Sequence, residues 1–213
     1  MALRTTPLGG PTTAGVAERA RERRQFILET SRRLFIRNGF HSTGMAEIAA
    51  DSGVKIGQIY RDFASKNEII AAIAVHDLSH FLNEVALEQA IVANDAAAIR
   101  EWILGFVSYN EDIDGYRLMP EIVAESARNR EIGDLREKMN GLLRNALRTA
   151  LNALAPGYDR EKARSALADL ILILASGFCL TIVVEAGRGR DCRLLSTRLR
   201  SIVSQELDLI QGG

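Results

Sequence analysis

The chain lacks the features that mark secreted or disulfide-stabilised proteins. Only two of its 213 residues are cysteines, Cys179 and Cys192, which is too few for a disulfide framework. The N-terminal segment is rich in Thr, Gly and Pro and has no apolar run suited to a secretory signal peptide. We therefore expect a protein of the reducing cytoplasm, where either thiol would sense oxidants only if it were exposed and had a lowered pKa.

Long apolar runs are also scarce. The longest nearly uninterrupted run covers 15 residues, 170–184, and lies between Asp169 and Glu185. A helix that spans a bilayer needs ~20 residues. The run therefore predicts a helix buried in the protein interior or in a subunit interface, with no membrane partner.

Sequence motifs of enzymes are missing as well. The chain has no glycine-rich nucleotide loop, no G-x-S-x-G motif and no cysteine-based zinc spacing. His76 and His80 stand four residues apart, but the acid between them is the short Asp77 and no third metal ligand can be identified. A metal hydrolase, a regulatory metal site and an ordinary helix surface or pocket wall are the alternatives for this pair. We expect no enzyme and no cofactor.

What the chain does have is an uneven distribution of charge. Its 27 basic and 27 acidic residues cancel overall, yet residues 1–66 carry 11 Lys or Arg against 6 acids. The remainder is correspondingly acidic. Such an asymmetry indicates that the basic end meets a polyanion, whereas the acidic end has another task.

Residues 43–66 contain two short amphipathic segments joined at a glycine. Apolar or small residues recur at helical spacing in the first segment, and Gly53 follows where a left-handed helix end is needed. Ser65 and Glu68 form a capping box that begins a third helix. The second segment has four predicted apolar anchors, Val54, Ile56, Ile59 and Phe63. Two helices joined in this way are typical of the helix-turn-helix of DNA-binding proteins.

The stretch from about Arg23 to Ile70, roughly a quarter of the chain, resembles the DNA-binding domain of the tetracycline-repressor (TetR) family of bacterial transcription regulators. The resemblance implies a three-helix DNA-binding domain followed by a variable helical domain that binds a small-molecule effector and forms a homodimer. The residues that carry it are Ile27, Leu34, Phe35, Gly39, Phe40, Thr43, Ile48, Ala49, Gly53, Val54, Gly57, Tyr60, Phe63 and Lys66.

The second motif helix supplies the predicted base contacts. Gln58 and Arg61 should face outward, where amide and guanidinium groups suit bidentate contacts with adenine and guanine edges. The family pattern implies phosphate contacts from Lys55, Tyr60 and Lys66, and Thr43 and Gly57 complete the predicted DNA-binding set. A solvated helix face is the alternative interpretation.

The motif departs from the family pattern at Gly44, Lys55, Ile56 and Asp62. Gly44 and Lys55 replace common hydroxyl contacts, and Asp62 adds an acid near the expected phosphates. The first motif helix is capped either by Thr43 or by Gly44 with Glu47 reaching back. Four upstream arginines could follow the DNA backbone, enter the minor groove or simply be solvated; they are Arg19, Arg21, Arg23 and Arg24.

The rest of the sequence predicts an all-α protein, with no alternating strand pattern, repeat or coiled-coil heptad. The expected organisation is a flexible tail (1–17), a helix-turn-helix domain (18–66) and a helical ligand-binding and dimerisation domain (67–213). The first expected helix begins near Ala17. Further helices are expected from Lys66 toward Ala86, from Ala96 to Tyr109, and with Pro120 in the first turn of another. The last three are expected along an apolar stripe over 132–154, at about 160–185 and at about 192–209.

Two surfaces are predicted in the C-terminal domain. Aromatic and apolar residues suited to a small-molecule pocket are Trp102, Phe106, Tyr109, Tyr116, Met119 and Phe178, for which plain core is the alternative. The helix around 170–183 is apolar nearly all round and must be covered on every side. The expected dimer interface, for which a monomer core is the alternative, is Leu170, Leu174, Phe178, Leu195, Leu199 and Ile202.

These expectations combine into one functional hypothesis. A homodimer would bind double-stranded, inverted-repeat operator DNA and be released when an effector enters the C-terminal domain, which is the behaviour of a repressor. The alternative is a helical ligand-binding or interaction protein that has lost operator reading.

Overall fold

The computed structural model describes residues 13–111, 113–186 and 188–212, which form helices and turns with no strand among them. The all-α prediction is confirmed. Within the described residues the helices are α1 Thr13–Asn38, α2 Met45–Ser52, α3 Ile56–Asp62, α4 Lys66–Leu82, α5 Glu84–Val92, α6 Ala96–Leu104, α7 Ile113–Ser126, α8 Arg130–Leu154, α9 Glu161–Ala186 and α10 Arg193–Gly212. A 3₁₀ turn, Gly105–Val107, follows α6.

The chain divides into two compact units, one up to Ala72 and one from Ile73 onward. In the N-terminal unit, α1, α2 and α3 bury their apolar faces, and the rings of Phe35 and Phe40 meet edge to face with centroids 5.2 Å apart. The expected division into tail, DNA-binding and ligand-binding parts stays a prediction. The core of this unit includes Ile27, Leu34, Phe35, Phe40, Ile48, Ile59, Phe63, Ile69 and Ile70.

Helix α1 begins at Thr13, earlier than the predicted start near Ala17. No proline occurs between Pro11 and the end of α1, so no residue of α1 lacks the backbone N–H that a helix uses. Residues 1–12, which hold most of the predicted flexible tail, lie outside the described residues. At its other end α1 stops at Asn38, and Gly39 adopts a left-handed φ of 82°.

Two predicted helices are shorter in the structure. The helix from Lys66 ends at Leu82 rather than near Ala86, because Asn83 takes a left-handed φ of 41° and separates α4 from α5. The helix predicted for Ala96–Tyr109 ends at Leu104 and tightens into the 3₁₀ turn. In both cases the apolar pattern continues past the break, which is why periodicity misplaced the ends.

Helix α7 contains Pro120 in its interior, whereas the sequence predicted a first-turn position. Proline has no N–H, so the carbonyl of Tyr116 four residues earlier lacks its usual helical donor. The Cys179 thiol of α9 donates to this carbonyl at 3.7 Å. Burial raises the pKa of Cys179 to about 11, and burial also raises that of Cys192. Both are therefore thiols at neutral pH, which argues against oxidant sensing through a thiolate.

Helix α8 follows the predicted apolar stripe and is capped by Asn129, whose Oδ1 accepts from the backbone N–H of Glu131 at 3.1 Å. Two ion pairs attach α9 to it: Arg144 Nε lies 2.7 Å from Asp169, and Arg148 Nη2 lies 3.4 Å from Glu161. Both pairs lie at the surface, where ion pairs contribute little to stability.

Helix α9 is only partly buried within the single chain, so of the two predicted positions, the interior and a subunit interface, the interface stays a prediction. By length and composition alone it could cross a membrane, with a mean hydropathy of 2.5 and only 28% of that window buried. The apolar part of the helix is longer than the 15 residues 170–184, because it continues on the N-terminal side of Asp169. The stretch Lys66–Val92 passes the same test but is broken at Asn83. Exposed apolar side chains remain on the last two helices: Leu170, Ile173, Leu180 and Val184 on α9, and Leu194, Leu195, Ile202 and Leu209 on α10.

Candidate nucleic-acid interface

The turn between α2 and α3 has the geometry that the glycine signal predicted. Gly53 closes α2 in the left-handed region with a φ of 65°, a conformation that costs glycine little. The Ser52 hydroxyl donates to the carbonyl of Ile48 at 2.6 Å and accepts from the N–H of Val54 at 3.3 Å. One hydroxyl thus connects the end of α2 to Val54 within the turn, and this helps to fix the path of the chain into α3.

The buried side of the motif consists of Ile48 from α2, Ile59 from α3 and Phe63 just after α3, all at most 1% exposed. Ile56 was predicted to be a fourth anchor, but 44% of it is exposed. It is the first residue of α3, and its helical spacing from the buried Ile59 did not show that it is exposed. Ile56 borders a shallow groove between α2 and α3 whose other walls are mostly alanine and glycine.

The outward side of α3 gathers most of the predicted contact residues. Gly57, Gln58, Tyr60 and Arg61 occupy one contiguous arc of the helix, and Lys55 stands exposed at its N-cap. The Arg61 guanidinium donates a hydrogen bond to the Gln58 side-chain oxygen. A Cβ added at Gly57 would meet nothing within 4 Å, so this side of the helix start is open. Together these residues present amide, guanidinium, phenol and ammonium groups to one partner.

Thr43 does not belong to this surface. Its side chain is 1% exposed, and its hydroxyl donates to the carbonyl of Gly39 at 2.9 Å, with Leu34 O a further 3.4 Å contact. The N-cap of α2 is Gly44, without a side-chain cap, while Glu47 accepts from Asn38 Nδ2 at 2.7 Å. Thr43 therefore fixes the loop between α1 and α2 from inside, and its predicted DNA contact is corrected.

Lys66 is also a structural residue rather than the predicted phosphate ligand. Its ammonium donates to three backbone carbonyls, those of Phe40 at 2.6 Å, His41 at 3.2 Å and Thr43 at 2.9 Å. It also lies 4.4 Å from the Phe40 ring centroid. An ammonium has three donors, and the loop between α1 and α2 engages all of them. Helix α4 is thus attached to that loop through its first residue.

One of the two hydrogen bonds of the predicted capping box of α4 is present, and the other goes to the N–H of the preceding residue. The N–H of Glu68 donates to Ser65 Oγ at 3.2 Å, as a capping box requires. The Glu68 carboxylate, however, accepts from the N–H of Ala64 at 2.6 Å. Both ends of the short connection between α3 and α4 are therefore fixed.

Asp62 and the upstream arginines form contacts that the sequence did not indicate. Arg23 Nε and Nη2 donate to the two Asp62 oxygens at 2.7 and 2.9 Å. The hydrogen bond from Arg23 holds the pKa of Asp62 below its ordinary value, against the effect of burial. Arg24 donates to the carbonyl of Asp62. Arg23 and Arg24 are thus bound within the protein, whereas Arg19 and Arg21 stay exposed. The partners are 38 and 39 residues apart, a separation that carries no local sequence signal.

The residues predicted to form a ligand pocket lie in two packed clusters. The Trp102 and Phe106 rings meet at 5.3 Å, and Trp102 Nε1 donates to Leu82 O at 2.6 Å. Tyr109 and Tyr116 pack with Leu199 on a second cluster around Phe178. Met119 is half-buried on α7. Two open concavities in the described part of the chain lie away from these residues, one by Arg148 and Arg164 and one beside Ile56.

Two further predictions concern Phe178 and the histidines. Phe178 is 4% exposed within its own subunit, so it is a core residue and its predicted place in a dimer interface is corrected. The rings of His76 and His80 lie 4.8 Å apart on α4. Among the described residues no group of three His, Cys, Asp or Glu side chains is placed to hold a metal ion.

Comparisons with known proteins agree with this geometry. Residues 27–73 match the model of the bacterial regulatory proteins, tetR family. The transcriptional activator FasR of Mycolicibacterium smegmatis is 28% identical over 54% of this chain and 52% of its own length. The transcriptional regulator UidR of Escherichia coli K12 is 31% identical over 53% of this chain and 56% of its own. The chain thus spans about half the length of the curated relatives it matches.

The fold is shared over a longer stretch. The structure of a transcriptional regulator from Saccharomonospora viridis in complex with choline has a TM-score of 0.61 at 21% identity, and the match covers 88% of this chain and 96% of that one. At this identity the likeness concerns the fold alone. The family match over residues 27–73 and the helix-turn-helix geometry described above make this part of the chain similar to the bacterial regulatory proteins of the tetR family.

Proposed function

We propose that the protein is a DNA-binding transcription regulator and that it reads DNA with α3. The observation that carries this proposal is the polar arc of α3, held outward by the buried Ile48, Ile59 and Phe63. In helix-turn-helix proteins the second helix lies in the major groove and its N-terminal residues meet the base edges. The excess of basic residues over 1–66 supplies the attraction to phosphate.

Three side chains of α3 would read bases. The Gln58 amide suits adenine and the Arg61 guanidinium suits guanine, and their mutual hydrogen bond places them as neighbours. The exposed Ile56 adds an apolar group at the start of the helix, where it suits a thymine methyl. Lys55 and Tyr60 would contact phosphates, and Gly57 would allow the backbone to approach closely.

Two copies would act together. The exposed apolar side chains of α9 and α10 support a self-complementary interface, of which Leu170, Leu195 and Ile202 are the exposed predicted members. Leu174 and Leu199 are partly covered within the subunit and would lie at its edge. A two-fold dimer would meet an inverted repeat, with its half-site spacing set by the subunits.

A small organic effector would control this binding from the C-terminal unit, in the cytoplasm. The Saccharomonospora viridis regulator with choline is one relative in fold whose structure contains such a molecule. We propose that the effector opposes DNA binding, which makes the protein a repressor. The competing outcome is activation of transcription, and FasR is a relative that is named an activator.

Selection of DNA from a randomised duplex library tests the proposal. The wild-type protein should enrich an inverted repeat, and its affinity for that duplex should fall steeply as salt rises. The double variant Gln58→Ala, Arg61→Ala should keep its dimeric state while losing sequence preference. Deoxyuridine lacks the thymine methyl group. Replacing thymines by deoxyuridine should therefore weaken DNA binding by the wild type at one position per half-site, whereas binding by Ile56→Ala should not change at that position.

The outcomes separate the proposal from its alternative. A wild-type protein that enriches no sequence at any ionic strength would indicate a helical ligand-binding or interaction protein that has lost operator reading. A selected duplex that is bound equally well by the double variant would place the reading surface elsewhere.

A further inference from the structure

Arg23 and Asp62 form a two-point contact between α1 and the last residue of α3. Both oxygens of Asp62 accept from one guanidinium, at 2.7 and 2.9 Å, in the planar fork that arginine offers to a carboxylate. The Asp62 side chain is 13% exposed and that of Arg23 is 27% exposed. The pair is therefore partly shielded from solvent and has a defined geometry, unlike most surface ion pairs.

Arg24 holds the same residue by its main chain. Its guanidinium donates to the carbonyl oxygen of Asp62 and lies 3.9 Å from the centroid of the Phe63 ring. A cation at this carbonyl meets the negative end of the α3 dipole and satisfies an acceptor that the helix leaves open. The last residue of α3 is thus held through both its side chain and its backbone.

The need for such contacts follows from the length of α3. A helix of 7 residues is far too short to be stable alone, so its direction and rotation depend on what it packs against. Ile59 is its only buried residue among the described positions Ile56–Asp62. Phe63, buried just after the helix, adds a second apolar anchor, and the contacts to Asp62 add a polar fixed point that limits rotation about the line through these two anchors.

We infer that the Arg23–Asp62 pair positions α3 for sequence reading and at the same time screens the Asp62 charge from phosphates. The inference rests on the proposed DNA-binding function. Asp62 and Arg23 are positioning residues, because they act through the orientation of Gln58 and Arg61. A base contact depends on placement to a fraction of an ångström, whereas a phosphate contact tolerates a small rotation.

For Asp62→Asn, charge alone and loss of the ion pair predict different effects on DNA binding. Asp62→Asn removes a negative charge beside the DNA-binding surface, and charge alone would make binding to any duplex tighter. Loss of the fork should instead reduce the preference for the selected duplex. The measured quantity is therefore the ratio of affinities for the selected duplex and for a scrambled duplex of equal length, at one salt concentration.

The test uses the full-length protein and duplexes selected by the wild type. Asp62→Asn should lower the affinity ratio about tenfold, the scale of one good base contact, while affinity for the scrambled duplex stays or rises. Arg23→Gln should lower the same ratio. Arg21→Gln is the matched control, since it removes an equal charge from a side chain that is 79% exposed. Arg23→Asp combined with Asp62→Arg restores the pair and should recover most of the ratio.

Each outcome bears on the inference. Circular dichroism identifies the variants that stay folded at the assay temperature, and only these are compared. Arg23→Lys keeps the positive charge but not the two-point contact, so it should give an intermediate affinity ratio. An unchanged ratio in Asp62→Asn, or equal losses in Arg23→Gln and Arg21→Gln, would overturn a positioning role. Failure of the wild type to enrich any duplex is a different result, because it removes the proposed function itself.

Discussion

The two units differ in the kind of surface that they expose. In the N-terminal unit, short helices bury small apolar faces, and charged side chains fix the connections between them: Lys66 holds a loop and Arg23 holds the end of α3. In the C-terminal unit, long helices pack along their length, yet apolar side chains such as Ile173 and Leu194 stay about 70% exposed. The first unit presents a polar surface of fixed shape, and the second presents an apolar surface that needs a cover.

This contrast indicates how the work is divided. A surface that reads bases needs donors and acceptors at fixed positions, and a short helix obtains them only from contacts outside itself. A surface that joins two copies needs apolar area and shape more than exact donors. Substitutions that damage one property and spare the other therefore test the comparison.

The largest expected effect comes from a cavity in the N-terminal core. Ile59→Ala removes the one buried side chain within α3 and should lower the free energy of unfolding of that unit by about 2 to 5 kcal/mol. DNA binding should be lost while self-association through α9 and α10 remains. Urea unfolding followed by circular dichroism, together with sedimentation velocity, measures both. Val85→Ala, at a residue 65% exposed, is the control and should change neither.

The converse substitution is Ile202→Glu on α10, where 47% of the side chain is exposed. In a two-fold interface it would bury two unpaired carboxylates, which should weaken the dimer by about a hundredfold or more. The N-terminal unit should keep its stability. Sedimentation equilibrium gives the association constant, and Val92→Glu, at an exposed valine of α5, should leave it unchanged. A dimer of undiminished strength in Ile202→Glu would show that these helices are not the interface.

A smaller effect is expected at Lys66. Lys66→Met keeps much of the apolar stem but removes the ammonium from three carbonyls, which should cost about 1 to 3 kcal/mol of unfolding free energy. Lys55→Met is the control, because Lys55 is exposed and should contribute to DNA affinity more than to stability. If Lys66→Met instead weakened binding to scrambled DNA at unchanged stability, Lys66 would be a phosphate ligand after all.

The sequence predicted the N-terminal unit well because its signals are local. Gly53, the apolar spacing of α2 and the Ser65 cap each act within four residues, and all appear in the structure. The failures at Thr43, Lys66 and Ile56 have a common cause. Residue type indicates that a hydroxyl, an ammonium or an alkyl group is present, but only the packing of neighbouring elements decides whether it turns inward or outward.

The C-terminal unit was predicted in outline but not in its surfaces. The stripe of α8 and the extents of α9 and α10 follow from periodicity, so they were found. The proposed pocket depended on aromatics that can equally pack on one another, as Trp102 and Phe106 do. Phe178 shows the same limit, since an all-round apolar helix gives no sign of which side faces its own core.

The smallest expected effect is a pH dependence that belongs to the N-terminal unit alone. Because Arg23 lowers the folded-state pKa of Asp62, the ionised carboxylate binds its partner better than the protonated one. Its contribution is fully present above the unfolded-state value of about 3.9 and is lost as the pH falls through the lower, folded-state pKa. Urea unfolding of the wild type and Asp62→Asn at several pH values isolates this group, because the other titrating groups are shared. The wild type should be the more stable at neutral pH, and its advantage should shrink only below about pH 4. An advantage that stayed constant into strong acid would mean that the fork contributes through its shape and not through its charge.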